Sequence, residues 1–218
     1  MRTFLVAACL LGALTVSVNG HARLNRPPGR ATLWRYQEFA KFNPPKNYDD
    51  NQLFCGGAQV QYEVNGGKCG ICGDPWNVPQ PRPHEGGGEF GRGIIVAEYK
   101  AGQVIDIEVD LTASHLGYFE FRLCKHNNPL VPVTQACLDE HVLQLADGSG
   151  TRYPIPSFDR GLQTFQAKLP EGLICDQCVL QFHYHTGNSY GACESGSWEL
   201  GCGNQETFRS CADVRITA

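Results

Sequence analysis

Residues 104–111 read VIDIEVDL, and this stretch decides the fold class. Ile105, Ile107, Val109 and Leu111 alternate with Asp106, Glu108 and Asp110. A period of two sends one row of side chains into a core and the other toward solvent. The alternation recurs at 118–123, where Phe119, Phe121 and Leu123 interleave with Glu120 and Arg122, and again over 164–169 and 179–185. Val214 and Ile216 suggest a closing strand. Several short strands with little helical periodicity between them predict an all-β chain, an antiparallel β-sandwich of immunoglobulin or fibronectin III type.

Upstream of these strands the chain is loop-like. From His21 to about Gly93 it carries PPG at 27–29, PP at 44–45, PQPRP at 79–83 and GGG at 86–88. One short helix is expected over Leu33–Phe42, with Thr32 as its N-cap. Loops this long in a compact domain are usually functional or cross-linked, and Cys55, Cys69 and Cys72 fall here. The segment is rich in aromatics. Most of them suit a small local core, while Trp34, Tyr36, Tyr48 and Tyr62 are candidates for a flat binding face. Neither internal repeats nor a Pro/Ser/Thr linker divides the sequence, so residues 21–218 read as a single domain.

Residues 1–20 (MRTFLVAACLLGALTVSVNG) read as a secretory signal peptide. Arg2 forms the positive start, residues 4–18 are uncharged, and Val18 and Gly20 are small residues before the cut. The run is shorter than the ~20 apolar residues of a spanning helix, and the C-terminus lacks the tail of a GPI signal. The expectation is a secreted chain without a membrane anchor, whose mature form begins at His21. Cleavage removes Cys9 from the eleven cysteines and leaves Cys55, Cys69, Cys72, Cys124, Cys137, Cys175, Cys178, Cys193, Cys202 and Cys211. An even set in an oxidising compartment predicts up to five disulfides of undetermined pairing. The CxxC pairs Cys69/Cys72 and Cys175/Cys178 stand too far apart for a zinc ribbon. With 18 Lys+Arg against 22 Asp+Glu, the net charge of −4 lacks the basic footprint of a nucleic-acid binder. No N-x-S/T sequon is present, so N-glycosylation is not expected.

A histidine at a mature N-terminus is an unusual metal donor. Its α-amine has a pKa of ~8, so a metal displaces the proton near neutral pH. Amine and ring Nδ1 can chelate one ion, and one further imidazole completes a planar three-nitrogen set suited to Cu(II). His84, His115, His126, His141, His183 and His185 are available. His115 lies in a predicted inter-strand loop, whereas His183 and His185 share one strand face two residues apart. Chemistry alone places His115 only modestly ahead of that pair.

Three stretches together resemble the lytic polysaccharide monooxygenases of auxiliary activity family fifteen, also called chitin-binding type-4 domains. They are His21 with ARLNRPPGR, TASH at 112–115, and GCGNQETFRSCADVRI at 201–216. The resemblance spans nearly the whole mature chain. It implies that His21 and His115 form a copper histidine brace and that Phe208 occupies the axial aromatic position, where many members have Tyr. Ala113 then matches the small residue at the other axial position. Glu206 matches a Gln or Glu that hydrogen-bonds the oxygen co-substrate, and two residues before Phe208 it shares that residue's face on a strand.

The implied activity is oxidative, not hydrolytic. One copper ion, an external electron donor and O2 or H2O2 hydroxylate a glycosidic carbon, with C1 expected, and the linkage collapses. The implied partner of the monomer is insoluble polysaccharide, chitin first and cellulose second. His183 and His185 then become supporting residues. Two rival readings use the same residues: a chitin- or glycan-binding protein without turnover, and a copper-binding or signalling protein that meets no polysaccharide.

Overall fold

The computed structural model describes residues 21–218; the expected signal peptide lies outside the described residues. Two sheets face each other, as the period-two pattern predicts. The first has the order β1 (His21–Arg26), β3 (Val104–Ala113), β7 (Gly161–Lys168), β5 (Gln144–Leu145). The second has the order β2 (Ile95–Lys100), β11 (Thr207–Thr217), β8 (Cys175–His185), β4 (Gly117–Lys125), β6 (Tyr153–Ile155). A separate hairpin of β9 (Tyr190–Ala192) and β10 (Trp198–Leu200) stands between β8 and β11 in the chain. All the pairings are antiparallel except β2 with β11, which is parallel.

The core lies between the sheets. Ile105, Ile107, Val109 and Leu111 face Phe119, Phe121, Leu180, Phe182, Tyr184 and Phe208 across it. Phe119 meets Phe182 and Tyr184 edge-on, with ring centroids 5.2 and 4.9 Å apart, a geometry that aromatic quadrupoles favour. A second apolar cluster, including Ile71, Val133, Leu138 and Val179, covers part of the other face of the five-stranded sheet. Strand β8 is therefore buried on both faces over much of its length, although its second face carries the polar Gln181, His183 and His185.

The loops are fastened to this frame. All ten cysteines among the described residues are paired: Cys55–Cys69, Cys72–Cys211, Cys124–Cys137, Cys175–Cys178 and Cys193–Cys202. The pairing of Cys72 with Cys211 ties the long N-terminal loop region to β11. The helix expected over 33–42 is instead two short 3-10 turns, Leu33–Arg35 and Gln37–Phe42. Thr32 does not cap it, because its hydroxyl donates to the carbonyls of Leu24 and Gly29. The one α-helix among the described residues is α1, Gln135–Asp139, capped by the Thr134 hydroxyl and bonded to β4 through Cys124–Cys137.

Strand polarity collects one set of ends. The start of β1, the exit of β3, the entry of β4 and the exit of β6 meet at one end of the sandwich, together with the exit of β8 and the entry of β11. The segments that carry His21, His115 and Glu206 sit at or beside that end.

Candidate metal centre

Antiparallel pairing of β1 with β3 sets His21 opposite Ala113. His115 follows two residues later, past the end of β3. Sheet register alone thus brings together two histidines 94 positions apart in sequence.

Each side of this junction is held in place. The Thr112 hydroxyl donates to the His21 carbonyl at 3.1 Å and accepts from Asn51 Nδ2 at 2.9 Å. Ala22 N donates to Asn51 O at 3.0 Å. Asp50, next in the chain, takes Arg23 Nη1 at 3.0 Å and also binds Arg35. The 49–52 turn therefore pins the first residues of β1 against β3.

His115 is 3 % exposed and is fixed through its backbone. Its N–H donates to the Tyr184 hydroxyl at 2.8 Å, and its carbonyl accepts from Gly187 N at 2.8 Å. Burial pushes the Tyr184 phenol up to about 12, so it stays protonated at physiological pH. Leu116 follows at φ 56°, left-handed backbone that a Leu rarely adopts. Gly117 follows at φ 91°, where a Cβ would lie 2.0 Å from the His185 carbonyl. Only glycine permits that approach, and the tight turn swings the chain from His115 into β4.

The ring of His115 has a carboxylate partner. Nδ1 lies 3.2 Å from Glu206 Oε2. A carboxylate only accepts, so Nδ1 carries the proton and the ring lone pair resides on Nε2. Carboxylate-to-histidine support of this kind orients imidazole ligands and raises their basicity. Glu206 is thus in contact with the His115 ring itself. Phe208 is 1 % exposed, its ring 5.6 Å from Tyr184 and 6.1 Å from Phe54. Ala113 keeps a small side chain beside His21. The fit to copper rests on the chemistry of these donors: two imidazoles with the backbone nitrogen of His21. Among the described residues, no three His, Cys, Asp or Glu side chains gather into a metal cluster.

The competing histidines are otherwise engaged. His183 and His185 face away from the core aromatics Phe182 and Tyr184. Arg209 Nε donates to His183 Nδ1 at 3.3 Å. Burial, then Arg209, pushes His183 well below the usual histidine range. Burial, then Arg152, lowers His185. Neutral rings among guanidinium groups make a poor cation site. His84 bonds Asp74 Oδ1 at 2.7 Å and Asn47 Nδ2 at 3.0 Å while stacking on Phe90, so it is structural.

The aromatic candidates separate. Trp34 is half-buried, donates to Asn47 O and meets Tyr48 edge-on at 5.1 Å, leaving Tyr48 71 % exposed. Tyr62 is half-buried and donates to Gln205 O beside Glu206. Tyr36 donates to Asn25 O and lines a cavity with Tyr99 and Val104, toward the other end of the sandwich.

The hairpin was not read from the sequence, although two cysteines nine apart around CESGS could have signalled it. It starts at Gly187, bonded to His115 O, and Gln205 ties its base to Ser189 and Cys202. Leu200 pairs with Tyr190, and Trp198 with Ala192. Cross-strand partners share a face, so Tyr190, Trp198 and Leu200 form one apolar surface, 67 %, 69 % and 45 % exposed.

Residues 21–214 match the family model described as lytic polysaccharide mono-oxygenase, cellulose-degrading. The chain is also similar to a solved structure, a lytic polysaccharide monooxygenase AA15 from Thermobia domestica in the Cu(I) state. The identity is 48 % and the TM-score 0.86, over 90 % of this chain and 98 % of that one. No curated protein matches the chain.

Proposed function

The chain belongs to the lytic polysaccharide monooxygenases, and from that membership we propose that His21 and His115 hold the copper with which it oxidises chitin. Copper dependence, an external electron donor, O2 or H2O2 as co-substrate and an insoluble polysaccharide target come with the family. The copper supplies the one-electron chemistry that inserts oxygen at a glycosidic carbon, for which we propose C1. All else below concerns what this chain's own residues do.

In this reading a cut after Gly20 sends the protein outside the cell and exposes the amine of His21. That amine and ring Nδ1, with Nε2 of His115, would hold the ion. The observation that best supports the assignment is the register of His21 with Ala113, joined to the carboxylate on His115 Nδ1. The family match also begins at His21. Phe208 would set an apolar ring beside the ion and offer it no phenol oxygen. The Asn51–Thr112 bonds and the Tyr184 hydroxyl hold both ligand residues in place before metal arrives, which lowers the ordering cost of binding.

A crystalline polysaccharide cannot enter a pocket, so contact must come from the surface around the ligands. Tyr190, Trp198 and Leu200 provide an apolar face beside His115, with Tyr48 a further exposed ring. Large exposed apolar faces mark interaction sites. Among the described residues, no helix is long and apolar enough to cross a membrane. The proposed working form is a secreted monomer.

Two measurements test this reading. Mass spectrometry of products from β-chitin and from cellulose, with copper, reductant and H2O2 supplied, should show aldonic-acid ends, predominantly from chitin. Products only from cellulose would overturn the chitin assignment, and C4 ketoaldoses alone would overturn C1. The second is Glu206→Ala, which should weaken copper binding by about 10–100-fold, the usual cost of losing the support behind a ligand histidine. Glu206→Gln, which keeps an acceptor for Nδ1–H, should lose less. Equal copper affinity in all three proteins would remove Glu206 from the site.

A further inference from the structure

In the five-stranded sheet β4 lies between β8 and β6, and His115 leads into β4. Each neighbour sends out a loop at that end. Strand β8 leaves into the aromatic hairpin. Gly117 pairs with Ile155, the last residue of β6, so residues 156–160 leave on the other flank at the same level.

This second loop is anchored to the site. Ser114, buried and next to His115, donates its hydroxyl to Ser157 O at 2.7 Å. Ser157 Oγ in turn donates to Asp159 Oδ2 at 2.8 Å. The fixed turn nevertheless presents Phe158 to solvent, 65 % exposed. Beside it opens a groove of about 750 Å³ whose walls include Arg152, Ser157, Asp159 and Gln163. An exposed aromatic face next to guanidinium, carboxylate and amide groups matches a pyranose ring, which has an apolar face and a rim of hydroxyls. A concave groove suits a single chain, whereas a crystal face needs a flat surface.

We propose that Phe158 and this groove bind a single β-linked glycan chain, carrying the strand of substrate that leaves the copper site on the β6 side. The hairpin would hold the chain on one flank of His115 and Phe158 on the other. The proposal rests on the polysaccharide-oxidising reading above. What it adds is a second contact, one that acts on a detached chain.

The test uses the mature protein without copper, so binding is read apart from turnover. Chitohexaose and cellohexaose are titrated by calorimetry, and β-chitin by pull-down. Phe158→Ala should weaken hexamer binding by about fivefold or more, the order that an aromatic contact supplies, and Phe158→Trp should restore it. Unchanged hexamer binding in Phe158→Ala would overturn the inference. If Trp198→Ala still loses β-chitin in that case, the wider reading stands without it. If neither variant loses either ligand, the polysaccharide face fails as well.

Discussion

Replacing His115 by Ala is expected to abolish tight copper binding and every oxidised product while leaving the fold intact. The bonds that fix residue 115 run from its main chain, N–H to the Tyr184 hydroxyl and carbonyl to Gly187 N, so alanine retains them. What it loses is an imidazole, and with it the Nδ1–H donor that Glu206 is placed to accept from. Removing a ligand should cost more than the roughly 10–100-fold that follows loss of a ligand's supporting group. Copper titration and electron paramagnetic resonance on the mature protein measure this directly. One residue added before His21 should have the same effect, because an amide nitrogen replaces an amine whose pKa is ~8. A His115→Ala protein that still binds one copper with an unaltered spectrum would transfer the centre elsewhere and remove the basis for the brace.

How far the residues alone disclose this design depends on the range of the interactions. Strand β3 is readable because Asp106, Glu108 and Asp110 lie on the solvent side of a half-buried sheet. Strand β8 is readable over 179–185 as well, because the side that Ile71, Val133 and Leu138 partly cover still carries Gln181, His183 and His185. The parallel pairing of β2 with β11 leaves no local trace, since it joins residues 118 positions apart, such as Asp213 and Ile95. The 33–42 segment has helical spacing, but the Thr32 hydroxyl is drawn to carbonyls rather than to a cap. The site follows the same rule. Chemistry alone sets His115 only modestly ahead of His183/His185, and the family resemblance widens the gap. The physical reason appears in three dimensions, where Arg209 bonds His183 and Glu206 bonds His115. The clamp made by Asn51 and Thr112 has no sequence pattern at all.

Asp213→Ala is expected to be the most destabilising single change away from the ligands. Arg30 and Asp213 form a bidentate pair at 2.8 and 2.6 Å, with side chains 4 % and 2 % exposed. Gln177 Nε2 also donates to Asp213 at 2.7 Å, and Arg30 Nη1 reaches His84 O at 2.9 Å. Two charges out of water are tolerated only because each completes the other. Removing the carboxylate strands a guanidinium, at a cost of about 3–5 kcal/mol. In a chain of this size that lowers Tm by roughly 6–20 °C. Calorimetry with disulfides intact measures it, and a shift below 2 °C would show that Arg30 finds water or another partner. The double change Arg30→Met with Asp213→Leu discriminates further, because apolar replacements of a whole buried pair are often neutral or stabilising. Recovery of most of the lost Tm would assign the pair a role in geometry rather than in net stability. That role is identifiable: Arg30 stands in the turn that follows β1, and Asp213 on the strand that carries Phe208. With Cys72–Cys211 beside it, the pair fixes how the strand bearing His21 sits against the strand bearing Phe208.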